Sequence, residues 1–171
     1  YVMSSTFNVY KVLDNNGGTS GGSDRFYDTT PDSVNFTLGN HVSVNNNGEN
    51  YIAYCFAEVP GFSKFGKYEG INDADGPFIY TGFKPAWFMI KRVSSGYRWA
   101  MKDNKVNPSN PVTKEFYAND DSAETAGSEI DFLSNGVKIR STSGTYNHSG
   151  IAYIYMAFAE EPLVASNGDP A

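Results

Sequence analysis

Two glutamates occupy equivalent places in two similar stretches and are the first candidates for chemistry. Glu58 ends the apolar run of residues 51–58, and Glu160 ends the run of residues 153–160. Glycosidases use two carboxylates, about 5–5.5 Å apart when configuration is retained and about 6.5–9.5 Å apart when it is inverted. The alternative is a structural role, in which each Glu lies at the solvent-exposed end of a core strand and accepts hydrogen bonds. The second interpretation is favoured, because the chain lacks a cluster of acids at alternating positions of one strand.

A second acidic pattern, NDADG at residues 72–76, places Asp73 and Asp75 before a glycine. Alternating carboxylates of this kind are weak candidates for calcium ligands, because calcium prefers oxygen. The loop is short and lacks the later bidentate Glu of an EF-hand, so a plain turn is the favoured interpretation. We therefore predict no metal and no cofactor.

Histidine and cysteine give no catalytic pattern. His41 and His148 lie in polar turns without a second ligand at metal-binding spacing. Cys55 is the single cysteine and sits among apolar residues, where a thiol acts as a small hydrophobe. The chain also lacks a nucleophile elbow, a phosphate-binding glycine loop and a dinucleotide fingerprint. The sequence predicts a protein that is not an enzyme.

Binding candidates come from polar and aromatic residues in predicted surface loops, since exposed aromatic rings stack on sugars. The loops are residues 45–50, 96–99 and 142–149. The candidates are Asn47, Tyr97, Trp99, Tyr146 and His148. Trp99 fits the core better than a site, whereas Tyr97 and Tyr146 lie beside glycine-containing turns and are better surface candidates.

Composition favours strands and excludes two classes of partner. The chain has 171 residues, and aromatic residues make up 15% of it, with many Gly, Asn, Ser and Thr; this mixture suits strands joined by tight turns. The formal net charge of −6 repels phosphate backbones, so we predict no nucleic-acid binding. No apolar run reaches the roughly 18 residues of a membrane span, so we predict no membrane insertion.

The apolar stretch YIAYCFAEVP at residues 51–60 recurs 102 residues later as YIYMAFAEEP. Both faces of the first copy are largely apolar, which predicts a strand buried between two layers near the middle of a sheet. Residues 33–38 and 42–44 are predicted to form a hairpin before it, through Gly39 and Asn40. The fold class predicted is all-β: a two-layer antiparallel β-sandwich, jelly-roll or lectin-like, with an internally duplicated β unit.

Three regions are predicted. Residues 1–24 hold a strand and a Gly/Ser-rich segment that is either a loop or a linker. Residues 25–162 form the sandwich, and residues 163–171 form a tail. Tyr1 is not a natural start, so we interpret the chain as a piece of a longer protein or a processed product.

Four blocks resemble one family: YIAYCFAEVPGFSKFGKYEG, DGPFIYTGFKPAWFMIKR, IDFLSNGVKIR and YIYMAFAEEP with a trailing SNGDP. They resemble a C-terminal domain of marine bacteriophage virion proteins, usually described as tail-fibre or other structural proteins. Lectin- or glucanase-like sandwich domains often stand beside it. The match runs in order over residues 28–170, which is most of the chain.

The resemblance implies a non-enzymatic virion component, such as a trimeric tail fibre or appendage that touches the host surface. Its partners would be other virion proteins, further copies of itself, and a glycan or protein on the host cell. It implies location on the virion and brings no catalytic residues. Two alternatives stay open: a capsid-decoration or tail-scaffold protein without a receptor, and a glycan-cleaving depolymerase using Glu58 and Glu160.

Overall fold

The computed structural model describes residues 2–4, 9–11, 23–27, 29–94 and 96–161. Two helices of one turn each lie in these ranges, α1 (Ser23–Phe26) and α2 (Val42–Asn45). The strands are β1 (Val2–Ser4), β2 (Val9–Lys11), β3 (Ser63–Glu69), β4 (Phe78–Tyr80), β5 (Pro85–Arg92), β6 (Ala100–Asp103), β7 (Val112–Tyr117), β8 (Thr125–Leu133), β9 (Gly136–Ile139) and β10 (Ala152–Ala159). Neither of these helices is long and apolar enough to cross a membrane.

One eight-stranded sheet dominates the structure, in the order β3-β10-β5-β6-β7-β8-β9-β4. All its pairs are antiparallel, and it curls until it is nearly closed into a barrel. The prediction of an all-β antiparallel fold is confirmed. The two-layer sandwich is not confirmed, because these strands form one curled sheet. β3 and β4 are its two edges, and β1 pairs separately with β2.

The core fills the inside of the curled sheet, because one face of each strand is apolar. On β10, Tyr153, Tyr155 and Ala157 point inward and are buried, while the residues between them are partly exposed. This alternation is the period of two expected of a strand with one buried face. Neighbouring strands add further inward residues to the same cluster: Phe88, Ile90, Ala100, Val112, Ile130, Phe132, Val137 and Ile139.

The first copy of the repeat is not a strand, so the prediction for residues 51–58 is wrong. All of these residues are exposed, and Ile52 and Tyr54 expose 82% and 81% of their surface. The second copy is β10, which lies between β3 and β5. The same apolar pattern therefore has two outcomes, because only the second copy has a strand on each side. The duplicated unit is not confirmed.

The hairpin predicted at residues 33–38 and 42–44 is also wrong. Residues 33–38 are irregular, and Val42 begins α2. His41 caps this helix, since its Nδ1 accepts a hydrogen bond from Ser43 N at 3.0 Å, which satisfies one of the free N–H groups of a first turn. The Gly/Ser-rich segment of residues 14–22 lies outside the described residues.

The two copies of the repeat provide a matched test of burial. Tyr153 is fully buried and its hydroxyl donates to Gly144 O at 2.7 Å, whereas Tyr51 at the equivalent place is 46% exposed. We expect Tyr153→Ala to lower the free energy of unfolding by about 3–5 kcal/mol, as for other buried aromatic truncations. Tyr51→Ala should cost about 1 kcal/mol, the worth of the hydrogen bond from its hydroxyl to Val42 O. Urea unfolding measures both, and equal losses would contradict this burial.

Candidate functional site

A surface cleft of about 260 Å³ lies where two loops meet the end of β7. Its lining residues are Gly96, Tyr97, Arg98, Tyr117 and Thr145. They come from the β5–β6 connection, the end of β7 and the loop before β10. Two phenol rings, a guanidinium and a hydroxyl thus converge on one space, a combination that binds polar ligands through ring faces and hydrogen bonds.

Tyr97 is held in place from two sides. The Arg92 guanidinium lies 4.4 Å from the centre of its ring, a cation–π distance. Lys91 Nζ donates a hydrogen bond to the Tyr97 carbonyl. The ring packs so closely on Gly144 that a side chain at position 144 would collide with it. The Tyr97 ring is therefore positioned before any ligand arrives, which reduces the entropy that binding would cost.

The opposite wall of the cleft is built by Arg98 and Tyr117. The Arg98 guanidinium lies 4.7 Å from the centre of the Tyr117 ring, and its Nε is 2.6 Å from Asp120 Oδ2. Hydrogen bonds from Ser122, together with the Arg98 charge, hold the pKa of Asp120 below its usual value. Arg98 therefore keeps its carboxylate partner and its orientation over a wide pH range.

A buried ion pair lies beneath the cleft. The Lys102 side chain is fully buried, with Nζ 3.6 Å from Glu115 Oε2 and 2.9 Å from the Thr113 carbonyl. Glu115 also accepts hydrogen bonds from the hydroxyls of Tyr117 and Tyr146. Tyr117 is shared by the cleft and the ion pair, so the cleft wall is tied to the interior by a continuous hydrogen-bond network.

Burial shifts the pKa values of the groups in this region. It lowers the pKa of Lys102 to about 8, although the Glu115 charge acts in the opposite direction. Burial next to Arg92 likewise lowers the pKa of Lys91 to about 8. Burial, reinforced by Glu115, raises the pKa of Tyr146 well above its ordinary value. All three shifts favour the neutral form, as expected where water is excluded.

The five predicted binding residues do not form one site. Tyr97 lines the cleft, and His148 is exposed on the loop that supplies Thr145. Asn47 is exposed on the loop after α2 and is not one of the residues that line the cleft. Trp99 exposes 2% and Tyr146 0% of its surface. The expectation that Tyr146 is a surface residue is wrong, whereas the core interpretation of Trp99 is confirmed.

The acidic turn of residues 72–76 is held by protein groups. Asp75 Oδ1 lies 2.9 Å from Lys138 Nζ and 3.3 Å from Arg140 Nη1, and Lys138 is the main cause that lowers the pKa of Asp75. Asp73 accepts two hydrogen bonds, one at its Oδ1 from Asp75 N and one at its backbone carbonyl from the side-chain amide of the buried Asn147. The Asp75 charge is thus already neutralised, and no group of three or more metal-binding side chains occurs in the described ranges. The plain turn stays the favoured interpretation of Asp73 and Asp75, and calcium binding stays the weaker alternative.

The two glutamates of the repeat each pair with lysine. Glu58 Oε1 lies 2.5 Å from Lys64 Nζ, and Glu160 Oε2 lies 2.5 Å from Lys84 Nζ. The hydrogen bond from Lys84 is the main cause that lowers the pKa of Glu160. A general acid of a glycosidase needs a raised pKa, so this environment favours the structural interpretation of Glu160.

Sequence reasoning did not single out Arg98, Tyr117, Lys102 or Glu115. Lys102 pairs with the buried Phe88 across β5 and β6, so its inward position depends on strand register, which a single sequence does not give. Arg98 and Tyr117 come together only because β6 and β7 are neighbours. The signal that was present is YRW at residues 97–99, where a cation stands between two aromatic residues.

Comparison with known families decides where the chain belongs. The family model of a domain of unknown function, DUF7483, matches residues 2–162. The chain belongs to the DUF7483 family. No curated protein and no solved structure matches it. The match covers the curled sheet and the cleft, so the site described above lies within the DUF7483 domain.

The buried ion pair of this DUF7483 domain generates a stability prediction. Lys102→Met leaves the Glu115 carboxylate buried without its cation, and we expect a loss of about 3–5 kcal/mol in the free energy of unfolding. The double variant Lys102→Met/Glu115→Gln removes both charges and should lose less than the two single variants combined, by about 1 kcal/mol or more. A double-mutant cycle in urea measures this, and strictly additive losses would contradict the coupling.

Lys91 generates a pH prediction. Its pKa falls from an ordinary 10.5 to about 8 on folding, so between these pH values the unfolded chain binds more protons. The free energy of unfolding should therefore rise with pH up to about pH 9. Closer to pH 10 the buried tyrosines, whose pKa values are raised on folding, oppose the rise because the unfolded chain loses their protons first. Lys102 has the same shift, so Lys91→Met should remove about half of the rise. Urea titrations between about pH 7.5 and pH 9, below the ordinary pKa of tyrosine, measure the slope. Lys105→Met, at a side chain that is 75% exposed, is the control and should leave the slope unchanged. An unaltered slope in Lys91→Met would refute the assignment of the lowered pKa to Lys91.

Proposed function

We propose that this domain is a non-enzymatic structural component of a bacteriophage virion, part of a tail fibre or appendage that attaches to the host surface. The resemblance of four sequence blocks to virion proteins supports the virion location and the association with other virion proteins. The observation that carries the attachment role is the cleft between Tyr97 and Tyr117. Host attachment needs a surface that binds a repetitive polar polymer, and this cleft has the chemistry for it.

The ligand class that the cleft fits best is a cell-surface glycan. A sugar ring has an apolar C–H face, which packs on an aromatic ring, and hydroxyls, which accept and donate hydrogen bonds. Tyr97 and Tyr117 supply the rings, whereas Arg98 supplies donors and Thr145 a hydroxyl. The Arg98 guanidinium shares its charge with Asp120, at 2.6 Å from Nε to Oδ2. Its N–H groups suit glycan hydroxyls and also carboxylate or phosphate groups, with which guanidinium pairs well.

Attachment by weak single sites requires several copies side by side. A homotrimer supplies three clefts on one particle component, and linked sites bind far more tightly than one site alone. A trimer also buries sheet edges that are a liability in an isolated molecule. These arguments support a homotrimer as part of the proposed function.

A second candidate is a tail-scaffold or capsid-decoration role without a receptor. It is favoured by the exposed apolar side chains of residues 51–58, which are typical of a surface that another protein covers. In that case the cleft would bind no glycan.

The test is binding of the purified domain to an array of bacterial lipopolysaccharides and capsular polysaccharides. We expect binding to a subset of these glycans, and a loss of about tenfold or more in Tyr97→Ala and Arg98→Ala, equivalent to about 1.4 kcal/mol or more. Tyr80→Ala, at a residue 62% exposed on β4, is the matched control. Thermal unfolding checks that each variant folds. Equal binding in all variants would show that the glycan binds outside this cleft. No binding to any glycan would favour the scaffold role.

A further inference from the structure

We propose that Asn47 and Gly48 form a site of self-modification, at which the Asn47 side chain loses ammonia and becomes aspartate or isoaspartate while the protein stays folded. The reaction consumes water and needs no enzyme. It goes beyond the proposed function, because it concerns neither the cleft nor the binding of a glycan. Its test follows mass alone, so it can fail while glycan binding stands.

The reaction uses the backbone nitrogen that follows an asparagine. The Gly48 nitrogen attacks the side-chain amide carbon of Asn47, so a new C–N bond forms, the bond to the side-chain nitrogen breaks, and ammonia leaves with the proton of the Gly48 N–H. The product is a succinimide ring. Water then breaks one of the two C–N bonds of that ring: one cleavage gives aspartate, and the other gives isoaspartate, whose backbone runs through the former side-chain carbon. Glycine suits the attacking position because it has no Cβ to obstruct the approach.

Asn47 and Gly48 are the central residues of an exposed turn that is loosely held. One hydrogen bond closes the turn, from Glu49 N to Asn46 O at 3.3 Å, which is long for a bond of this kind. In the part of the chain that the structure describes, the Asn47 carbonyl accepts no hydrogen bond and the Gly48 nitrogen donates none. A Cβ placed on Gly48 would meet nothing within 4 Å. The peptide between the two residues is therefore free to rotate towards the Asn47 side chain once the turn opens.

A second Asn-Gly pair, Asn135 and Gly136, is held in the opposite way. The Asn135 carbonyl accepts hydrogen bonds from Thr81 N at 3.0 Å and from Gly82 N at 3.3 Å. Gly136 is buried at the start of β9, where a Cβ would lie 2.3 Å from Ile79 O. The peptide that would have to rotate is thus fixed by β4 and the residues after it. The same dipeptide is open at one position and locked at the other, so the chain contains its own control.

The modification would place a new charge on a loop whose start is fixed. The Tyr51 hydroxyl accepts a hydrogen bond from Asn46 N at 2.9 Å and donates one to Val42 O at 2.6 Å, which ties the turn to α2. The new carboxylate would lie close in sequence to Glu49 and add one negative charge to the formal net charge of −6. A partner that binds the Asn47 amide would lose a hydrogen-bond donor.

The test is incubation of the folded domain for days to weeks in water that carries heavy oxygen, followed by digestion and mass spectrometry of each Asn-Gly peptide. The label enters when the ring opens, so it marks the reaction itself. Further Asn-Gly pairs at residues 16–17 and 167–168 lie outside the described residues and are followed as separate peptides. We expect Asn47 to convert at least about tenfold faster than Asn135, because a locked site reacts only when the structure opens around it. In urea, where structure protects neither site, the two rates should converge.

Two matched variants locate the chemistry. Asn47→Gln should abolish the labelled product at this position, because the longer side chain disfavours ring closure. Asn50→Gln, at another exposed asparagine of the same loop, should leave conversion of Asn47 unchanged. A rate at Asn47 no greater than that at Asn135 in the folded domain would overturn the proposal. So would a difference of the same size in urea, since the neighbouring sequence and not the fold would then set the two rates.

Discussion

Burial of the Lys102 ammonium is the constraint on which this end of the molecule depends. An ammonium inside a protein is stable only if every proton has an acceptor. Its Nζ is served by the carbonyls of Val112, Thr113 and Ser128 and by Glu115. These acceptors come from β7 and β8, so one cation on β6 fixes the relative positions of three strands. Apolar packing alone would tolerate small shifts between those strands, whereas a buried charge does not.

The same constraint reaches the surface through Glu115. Its Oε1 accepts a hydrogen bond from the Tyr117 hydroxyl, and its Oε2, which also faces Lys102 Nζ, accepts one from the Tyr146 hydroxyl. Gly127 leaves room for the carboxylate, because a side chain at that position would collide with it. Tyr117 is a wall of the cleft, while Tyr146 belongs to the loop that supplies Thr145. The shape of the candidate binding surface therefore follows from an ion pair that no ligand touches.

The sequence was sufficient to predict an all-β antiparallel fold, but it was not sufficient to predict how the strands are arranged. Strand-forming composition predicted the all-β antiparallel structure, and β10 lies where its apolar pattern predicted a buried strand. The identical argument failed for residues 51–58, because periodicity reports what a segment is able to bury and not whether neighbours exist to bury it. The predicted hairpin failed for a local reason: His41 accepts from Ser43 N and caps a helical turn, which competes with strand formation.

The candidate site was predictable only in part, for a similar reason. Tyr97 was identified from an aromatic residue beside a glycine turn, and it does line the cleft. Tyr146 stands beside glycine in the same manner, yet its hydroxyl points inward to Glu115 at 2.9 Å. Local sequence does not distinguish the two, since the difference is made by a carboxylate on another strand. Arg98, Tyr117 and Glu115 likewise acquire their roles from strand order, which one sequence does not contain.

The position of β10 in the sheet has a consequence for synthesis. β10 is the last strand of the sheet in the chain, yet it lies between β3 and β5, which are made much earlier. Residues 70–151 must leave the ribosome before β3 meets its neighbour, which takes several seconds or more at about 5–20 residues per second. Until then β3 has neither of its edges paired within the sheet. A chain interrupted before Ala152 would lack the strand that joins β3 to the rest of the sheet. The eight-stranded sheet can therefore form in full only after β10 has been synthesised.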